Sequence, residues 1–160
     1  MRLGLTGFGR LKAGPERELV GRYWQRLEAS SRSAGLTGCD LREFDESRAR
    51  SAEERKQQEA AILLESLAAG ARLIALDERG KSISSEAFAA DIGKARDAGV
   101  PAFVLAIGGP DGFDGQVRKA EAMTLSFGAM TWPHQLVRVM AAEQLYRAVT
   151  ILTGHPYHRA

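Results

Sequence analysis

The C-terminal end of the chain concentrates side chains that could do chemistry. All three histidines lie between positions 134 and 158, and the last residues read His155-Pro156-Tyr157-His158-Arg159-Ala160. Histidine and tyrosine can exchange protons, and arginine offers a fork of N–H groups to phosphate or carbonyl oxygens. Chain ends are ordinarily frayed and bland in composition. This tail is therefore a candidate for proton transfer, or for recognition of a base or a phosphate.

Histidines also suggest a metal site, because imidazole is a common zinc ligand. His134, His155 and His158 form no paired motif on a helix, and Cys39 is the only cysteine. A cysteine-based zinc site and a disulfide within one chain are thus excluded, and we expect no metal. A metal-dependent hydrolase using the three histidines stays open as a rival hypothesis. No serine occupies a GxSxG elbow, so nothing supports a hydrolase of that class.

The composition is that of an ordinary folded protein. The chain has 160 residues, of which 44% are hydrophobic and 26% charged, with a formal net charge of +2. These values predict one domain spanning residues 1–160 with a real apolar core. The small positive charge permits an anionic partner but does not demand one. No apolar run is long enough to cross a bilayer, and the single cysteine fits a reducing cytoplasm.

Short apolar runs alternate with helical patterns along the chain. We predict strands over residues 2–8, 40–45, 72–77 and 101–107. Helices are predicted to begin at Pro15, Ser51, Ser84 and Pro133, and the last three to end at Gly70, Gly99 and Gly154. Strands that alternate with helices indicate an α/β fold with a parallel sheet covered on both faces. Ligands bind such sheets beyond the carboxyl ends of the strands.

Three strand ends in this pattern carry small or turn-forming residues, over positions 76–80, 107–112 and 127–132. The glycine-rich segment 108–112 is either a phosphate or nucleoside loop or a plain tight turn, and it lacks the GxGxxG and Walker spacings. Segment 76–81 either presents charge to a ligand or is a solvated loop. We expect these three segments to meet at one edge of the sheet.

The last predicted helix has two apolar stripes. One consists of Val137, Ala141, Leu145, Ala148 and Leu152, and the other of Val139, Ala142, Tyr146 and Val149. A surface helix of a monomer needs only one such stripe. The second stripe predicts contact with another subunit, most simply in a two-fold dimer. The alternative is a helix at the centre of a single chain.

Four segments, taken together and in order, resemble the ribosomal RNA large subunit methyltransferase H family of the SPOUT methyltransferases. They are residues 76–81 (LDERGK), 107–112 (IGGPDG), 131–139 (TWPHQLVRV) and 155–159 (HPYHR). The resemblance runs from the first strand to the final residues, and its last third is the most specific part.

The resemblance implies an S-adenosylmethionine-dependent enzyme that methylates N3 of a pseudouridine in 23S rRNA of the assembled ribosome. It also implies a homodimer, and a SPOUT fold with a deep trefoil knot over about residues 72–160. Rules for chain topology would not have predicted a knot, because threaded chains are nearly absent from folded proteins. A ribosome-binding factor without catalytic activity is the alternative function.

The family's cofactor-binding positions can be carried over to this sequence residue by residue. They fall on Leu76, Gly108, Phe127, Gly128, Ala129, Met130, Thr131 and Trp132. Methylation of an imide nitrogen requires removal of its proton or stabilisation of the negative charge.

The candidates for that chemistry lie in the tail and the last helix. His155, Tyr157 and His158 could accept or relay the proton, and Arg159 or Arg138 could hold a carbonyl or phosphate oxygen. Arg138 could instead pair with a carboxylate inside the dimer. His134 is expected only to satisfy the start of the last helix.

Overall fold

The computed structural model describes residues 1–159, which form one parallel sheet with helices on both faces. The strands are Arg2–Phe8 (β1), Gly38–Phe44 (β2), Arg72–Lys81 (β3), Ala102–Ile107 (β4) and Met123–Leu125 (β5). The helices are Pro15–Ser31 (α1), Ala52–Ser66 (α2), Ser85–Asp97 (α3), Gly115–Ala120 (α4) and His134–Leu152 (α5). The strand order is β2-β1-β4-β3-β5, and every neighbouring pair is parallel. The predicted α/β parallel sheet is confirmed.

Both faces of the sheet are covered. α1, α3 and α5 pack over one apolar cluster, and α2 and α4 pack over a second cluster on the opposite face. The central strand β4 contributes Phe103 and Leu105 to the first cluster and Val104 and Ala106 to the second. Its run of apolar residues follows from this double burial, because alternate side chains of a strand point to opposite faces.

Three of the four predicted helix starts are confirmed, two of them by side-chain caps. Pro15 occupies the first turn of α1, where its missing N–H leaves no bond unmade. The Ser51 hydroxyl accepts from the N–H of Glu54 at 3.1 Å, and that of Ser84 accepts from the N–H of Ala87 at 3.2 Å. These bonds satisfy N–H groups that would otherwise lack a partner inside the helix.

Several predicted boundaries differ from the structure: β3 runs on to Lys81, four residues past its predicted end, and β2 begins two residues before its predicted start. α2 ends at Ser66, short of Gly70, because Leu67 turns to an extended conformation and packs on the apolar cluster beneath the helix. Pro133 is the N-cap of α5 and lies outside its first turn, since its ψ of 138° is not helical. Tertiary packing at Leu67 overrides the glycine stop signal that the sequence offers.

α5 lies at the centre of one face, between α1 and α3. Ala141, Leu145 and Ala148 of its first stripe are buried, and so are Ala142, Tyr146 and Val149 of its second. A single chain therefore buries most of both stripes, as the central-helix alternative predicted. The stripes by themselves do not require a second subunit.

The chain leaving β5 runs close against the end of β3. A Cβ atom at Gly80 would lie 2.5 Å from the carbonyl carbon of Leu125, so only glycine fits at this approach. The N–H of Ser126 donates to the carbonyl of Lys81 at 3.0 Å. This contact directs the following segment, residues 126–132, along the edge where β3 and β4 end. Within residues 1–159, no helix combines the length and apolar character needed to span a membrane.

A cavity at the strand ends and a docked C-terminal tail

A cavity of about 570 Å³ opens at the carboxyl ends of β3 and β4. Its walls come from residues 76–79, 107–113 and 126–132, so the three predicted strand ends do meet at one edge of the sheet. The lining includes Leu76, Gly108, Phe127, Gly128, Met130, Thr131 and Trp132. Of the predicted cofactor positions, only Ala129 lies outside the lining, and it is exposed. The volume is in the range of small-molecule sites, roughly 300–1,000 Å³.

The carboxylate of Asp77, at one wall of the cavity, is paired with a positively charged side chain. The carboxylate of Asp77 accepts from the guanidinium of Arg118 and, at 2.9 Å, from the N–H of Arg79. Burial would raise the pKa of Asp77, but these two donors outweigh it and hold the pKa below its ordinary value. Asp77 therefore stabilises the 76–79 segment of β3 as an ionised, paired carboxylate.

Arg118 was missed by sequence reasoning because it lies on α4, a helix of only six residues. Its guanidinium packs over the ring of Phe113, 5.6 Å from the ring centroid, and both residues line the cavity. The side chain of Asp114 caps α4 by accepting from the N–H of Gln116 at 2.8 Å. An aspartate at the N-cap position, with basic residues in the last turn, was the signal that could have revealed the helix.

Large apolar side chains stand at the mouth of the cavity. Met130 and Trp132, which both line the cavity, are 73% and 40% exposed. A contiguous group of exposed apolar side chains commonly marks a surface that covers a ligand or a partner. His134, the first residue of α5, also lines the cavity. No side chain caps that helix end, so the expected helix-start role of His134 is not what the structure shows.

The C-terminal tail is docked on α5 and α3. The hydroxyl of Tyr157 donates to Glu143 Oε1 at 2.9 Å, and its ring lies 4.7 Å from that of Tyr146. Arg147 covers the other side of the ring at 4.8 Å from its centroid. Burial raises the pKa of Tyr157, and its bonds to Tyr23 and Glu143 raise the pKa further. Tyr157 is thus a neutral hydrogen-bond donor at physiological pH.

The tail histidines have different environments. His158 Nε2 lies 2.8 Å from Glu86 Oε1, and its Nδ1 lies 3.3 Å from Nη1 of Arg147. The backbone N–H of Glu86, the Ser84 hydroxyl and His158 all lower the pKa of Glu86. His155 is exposed, and its Nδ1 accepts from the N–H of Tyr157 at 3.1 Å. Two imidazoles are therefore held at the helix end in defined positions.

The tail does not reach the cavity of its own chain. Tyr157, Glu143 and Arg147 line a second cavity of about 650 Å³, whereas His155, His158 and Arg159 line neither. Residues 126–128 line both cavities, so this segment is the partition between them. Within this segment, the hydroxyl of Ser126 accepts a hydrogen bond from the N–H of Gly128 at 3.1 Å.

Arg138 lies apart from both cavities. It is 5% exposed and its Nη1 donates to Glu43 Oε1 at 2.6 Å, while Nη2 donates to the carbonyls of Phe8 and Gly9. Burial lowers the pKa of Arg138 and the nearby Glu43 opposes that shift. The carboxylate pairing left open by the sequence is therefore present, within one chain. Arg138 joins the ends of β1 and β2 and is not positioned to hold a ligand in either cavity.

The histidines do not form a metal site in this chain. His134 and His155 lie at opposite ends of α5, which at 19 residues is about 28 Å long. Among residues 1–159, no group of three or more histidine, cysteine, aspartate or glutamate side chains is arranged to hold a metal ion.

Sequence comparison shows the class of protein to which this fold and its cavity belong. The family described as "Predicted SPOUT methyltransferase" matches residues 1–158, and the chain belongs to this family.

The chain is similar over its whole length to proteins named ribosomal RNA large subunit methyltransferase H. It is 59% identical to that of Methylocella silvestris and 55% identical to that of Rhizobium leguminosarum bv. trifolii, each over 99% of both chains. It is 56% identical to that of Xanthobacter autotrophicus over 100% of both chains.

Among solved structures, the SpoU methyltransferase AviRb from Streptomyces viridochromogenes, in complex with AdoMet, aligns with a TM-score of 0.38 and 14% identity. The alignment covers 91% of this chain and 56% of AviRb. The family assignment rests on the sequence comparisons.

Proposed function

We propose that this protein is an S-adenosylmethionine-dependent methyltransferase that modifies N3 of a pseudouridine in the 23S rRNA of the assembled ribosome. The observation that carries the proposal is the meeting of Leu76, Gly108 and residues 127–132 around one cavity, in a member of a methyltransferase family. The names of the full-length relatives support ribosomal RNA of the large subunit as the substrate. A ribosomal substrate implies that the protein acts in the cytoplasm.

The cavity suits a nucleoside-containing cofactor in size and in the chemistry of its walls. Leu76, Ile107 and Trp132 supply apolar surface, and the glycines of segment 108–112, which have no side chains, let the backbone form part of the wall. Backbone N–H and carbonyl groups can recognise the edge of a base or a ribose without charged side chains. When bound, S-adenosylmethionine supplies the electrophilic methyl group. The residues of this chain then bind it, exclude water and orient it.

The tail supplies the groups that act on the rRNA base. The imide nitrogen must lose its proton, or have its negative charge stabilised, for attack on a methyl group. Tyr157 is unsuited as the base, since its pKa is raised and its hydroxyl donates to Glu143. It anchors the tail. His155 and His158 are the candidate proton acceptors, and the exposed Arg159 is the candidate for a carbonyl or phosphate oxygen.

A composite active site follows from the position of the tail. Residues 155–159 dock on the far side of the partition from the cavity of their own chain, so the tail of a second copy must serve each cavity. The proposal therefore includes a homodimer in which the tail of each subunit completes the active site of the other. The exposed apolar side chains of Met130 and Trp132 in the cavity lining, and of Leu136 in the first turn of α5, offer a surface for this association.

The C-terminal half, about residues 72–160, is proposed to form the deep trefoil knot implied by the family resemblance. The support is the close passage of Leu125 under Gly80 and the bond from Ser126 to the carbonyl of Lys81, which bring the chain beneath the end of β3 before α5.

The test is transfer of labelled methyl groups from S-adenosylmethionine to ribosomes that lack the modification, with intact ribosomes and separated large subunits compared. We expect incorporation into intact ribosomes, and none by a variant truncated after Gly154 whose circular dichroism is unchanged. Tight ribosome binding by the folded dimer without incorporation would favour the ribosome-binding factor. Normal methylation by the truncated variant would overturn the role of the tail.

A further inference from the structure

Arg55 and Glu59, one turn apart on α2, contact the 109–111 loop, which forms one wall of the cavity. Arg55 donates two hydrogen bonds to Asp111, from Nε to Oδ2 at 2.6 Å and from Nη2 to Oδ1 at 3.0 Å. The remaining nitrogen, Nη1, donates to the carbonyl of Ala49 at 3.1 Å. Arg55 thus joins the 109–111 loop to the segment that precedes α2. Its hydrogen bond to Asp111 is the main cause of the lowered pKa of that carboxyl.

Glu59 makes a second attachment from the next turn of α2. It is 5% exposed, and its Oε1 accepts from the N–H of Ser47 at 3.0 Å. The other oxygen, Oε2, lies so close to Gly109 that a Cβ atom there would be 2.6 Å from it. Burial raises the pKa of Glu59, and hydrogen bonds from the N–H groups of Ser47 and Gly109 oppose that shift. A buried carboxylate is therefore held between two loops by backbone donors.

Neither Arg55 nor Glu59 lines the cavity, although both hold residues that do. Gly109, Pro110 and Asp111 form its wall, in a glycine-rich segment with a large conformational entropy when unrestrained. Holding a binding loop in its ligand-bound shape raises affinity by removing the entropy of ordering it on binding.

We propose that Arg55 and Glu59 are positioning residues that set the affinity of the cavity for S-adenosylmethionine by fixing the 109–111 loop. The inference rests on the proposed function, because it takes the cavity to be the cofactor site. Neither residue contacts the reacting groups, so the effect falls on cofactor binding and leaves the chemical step unchanged.

The test variants are Arg55→Gln and Glu59→Gln. Arg55→Gln removes the bidentate contact with Asp111. Glu59→Gln replaces one accepting oxygen by an amide NH₂, which cannot accept, so one of the two backbone bonds is lost. The matched control is Arg72→Gln. Arg72 forms a bidentate pair with Asp91, and their side chains are 34% and 24% exposed, against 30% and 25% for Arg55 and Asp111. This control pair joins β3 to α3 away from the cavity.

Calorimetric titration of each dimer with S-adenosylmethionine gives Kd, and methylation of ribosomes gives KM for the cofactor and kcat. We expect Arg55→Gln and Glu59→Gln each to raise Kd and KM about tenfold, in line with loss of a charge-assisted hydrogen bond. Their kcat at saturating cofactor should stay within about twofold of the wild type, and Arg72→Gln should leave Kd unchanged. Unchanged Kd in both α2 variants, or lowered kcat with unchanged Kd, would overturn the inference.

Gly109→Ala tests the same contact from the side of the loop. The added Cβ displaces the loop from Glu59, so we expect weaker cofactor binding. In a Glu59→Ala background the carboxylate that the added Cβ would meet is absent. The effects of the two substitutions on Kd should therefore be far from additive. Additive effects would contradict the inference. If the wild-type protein does not bind the cofactor, the proposed function itself is refuted. If the wild type binds and the variants bind equally well, only the present inference is refuted.

Discussion

Glu143 and Tyr157 join the C-terminal tail to the middle of α5, with the phenol hydroxyl 2.9 Å from the carboxylate Oε1. The same oxygen accepts from Nε and Nη2 of Arg147 at 2.9 Å and 2.5 Å. One carboxylate oxygen thus accepts hydrogen bonds both from the tail and from the next turn of the helix. The position of the candidate proton acceptors, His155 and His158, depends on this bond because they flank Tyr157.

Tyr157→Phe should loosen the tail without unfolding the protein. The variant keeps the ring contacts with Tyr146 and Arg147 and loses only a hydrogen bond to a charged group, which contributes about 1.5–3 kcal/mol. We expect about a tenfold lower methylation rate, faster hydrogen exchange in residues 153–159, and cofactor affinity equal to that of the wild type. A methylation rate equal to that of the wild type would show that the bond does not position the tail.

The raised pKa of Tyr157 predicts how the tail responds to high pH. Its pKa in the folded protein lies above the ordinary value of 10.0, so its stabilising contribution is complete below pH 10 and is lost as the pH rises through the folded value. Phenolate absorbance of the wild type minus that of Tyr157→Phe should therefore appear only well above pH 10. A difference curve with its midpoint at or below 10 would contradict the buried, donating phenol.

Arg138 is predicted to stabilise the fold without taking part in catalysis. Arg138→Met removes the partner of Glu43 and leaves the carbonyls of Phe8 and Gly9 without their donor. Removing one partner of a buried ion pair typically costs about 3–5 kcal/mol, so urea denaturation should show a loss of this size. At temperatures where the variant is folded, kcat should be close to that of the wild type. A stable variant with a large loss of kcat would instead assign Arg138 to the active site.

Trp132 allows cofactor binding to be located by fluorescence. It is 40% exposed and lines the cavity, whereas Trp24 is buried against α5 and its neighbours in the main core. Addition of S-adenosylmethionine should change the emission of the wild type, and Trp132→Phe should lack most of this change while still binding in calorimetry. An equal fluorescence change in Trp132→Phe would place the ligand elsewhere.

Four of the five strands within residues 1–159 could be predicted from the sequence because their signals are local, whereas the proposed cofactor-binding positions were implied by the family resemblance. Residues 101–107 form a continuous apolar run that indicates a strand buried on both faces, and Ser51 and Ser84 have the spacing of helix caps. The carboxyl ends of parallel strands meet at one edge of a sheet, which brings Leu76, Gly108 and residues 127–132 together.

The remaining features depend on contacts between distant segments, which no local pattern reveals. Arg138 and Glu43 are 95 positions apart, and Arg55 and Asp111 are 56 apart. The second stripe of α5 predicted a partner subunit, but α1 and α3 bury most of it within one chain. His134 was expected only at a helix start, and its place in the cavity lining arises from the path of residues 126–133 along the sheet edge.

We predict that this protein transfers a methyl group from S-adenosylmethionine to N3 of one pseudouridine in the assembled ribosome. Mass spectrometry of 23S rRNA fragments tests it directly, using ribosomes that lack the modification, incubated with the protein and the cofactor. We predict the mass gain of one methyl group on a single pseudouridine, with fragmentation that assigns it to N3. No mass gain with a folded, cofactor-binding dimer, or a methyl group on another atom or base, would contradict the account.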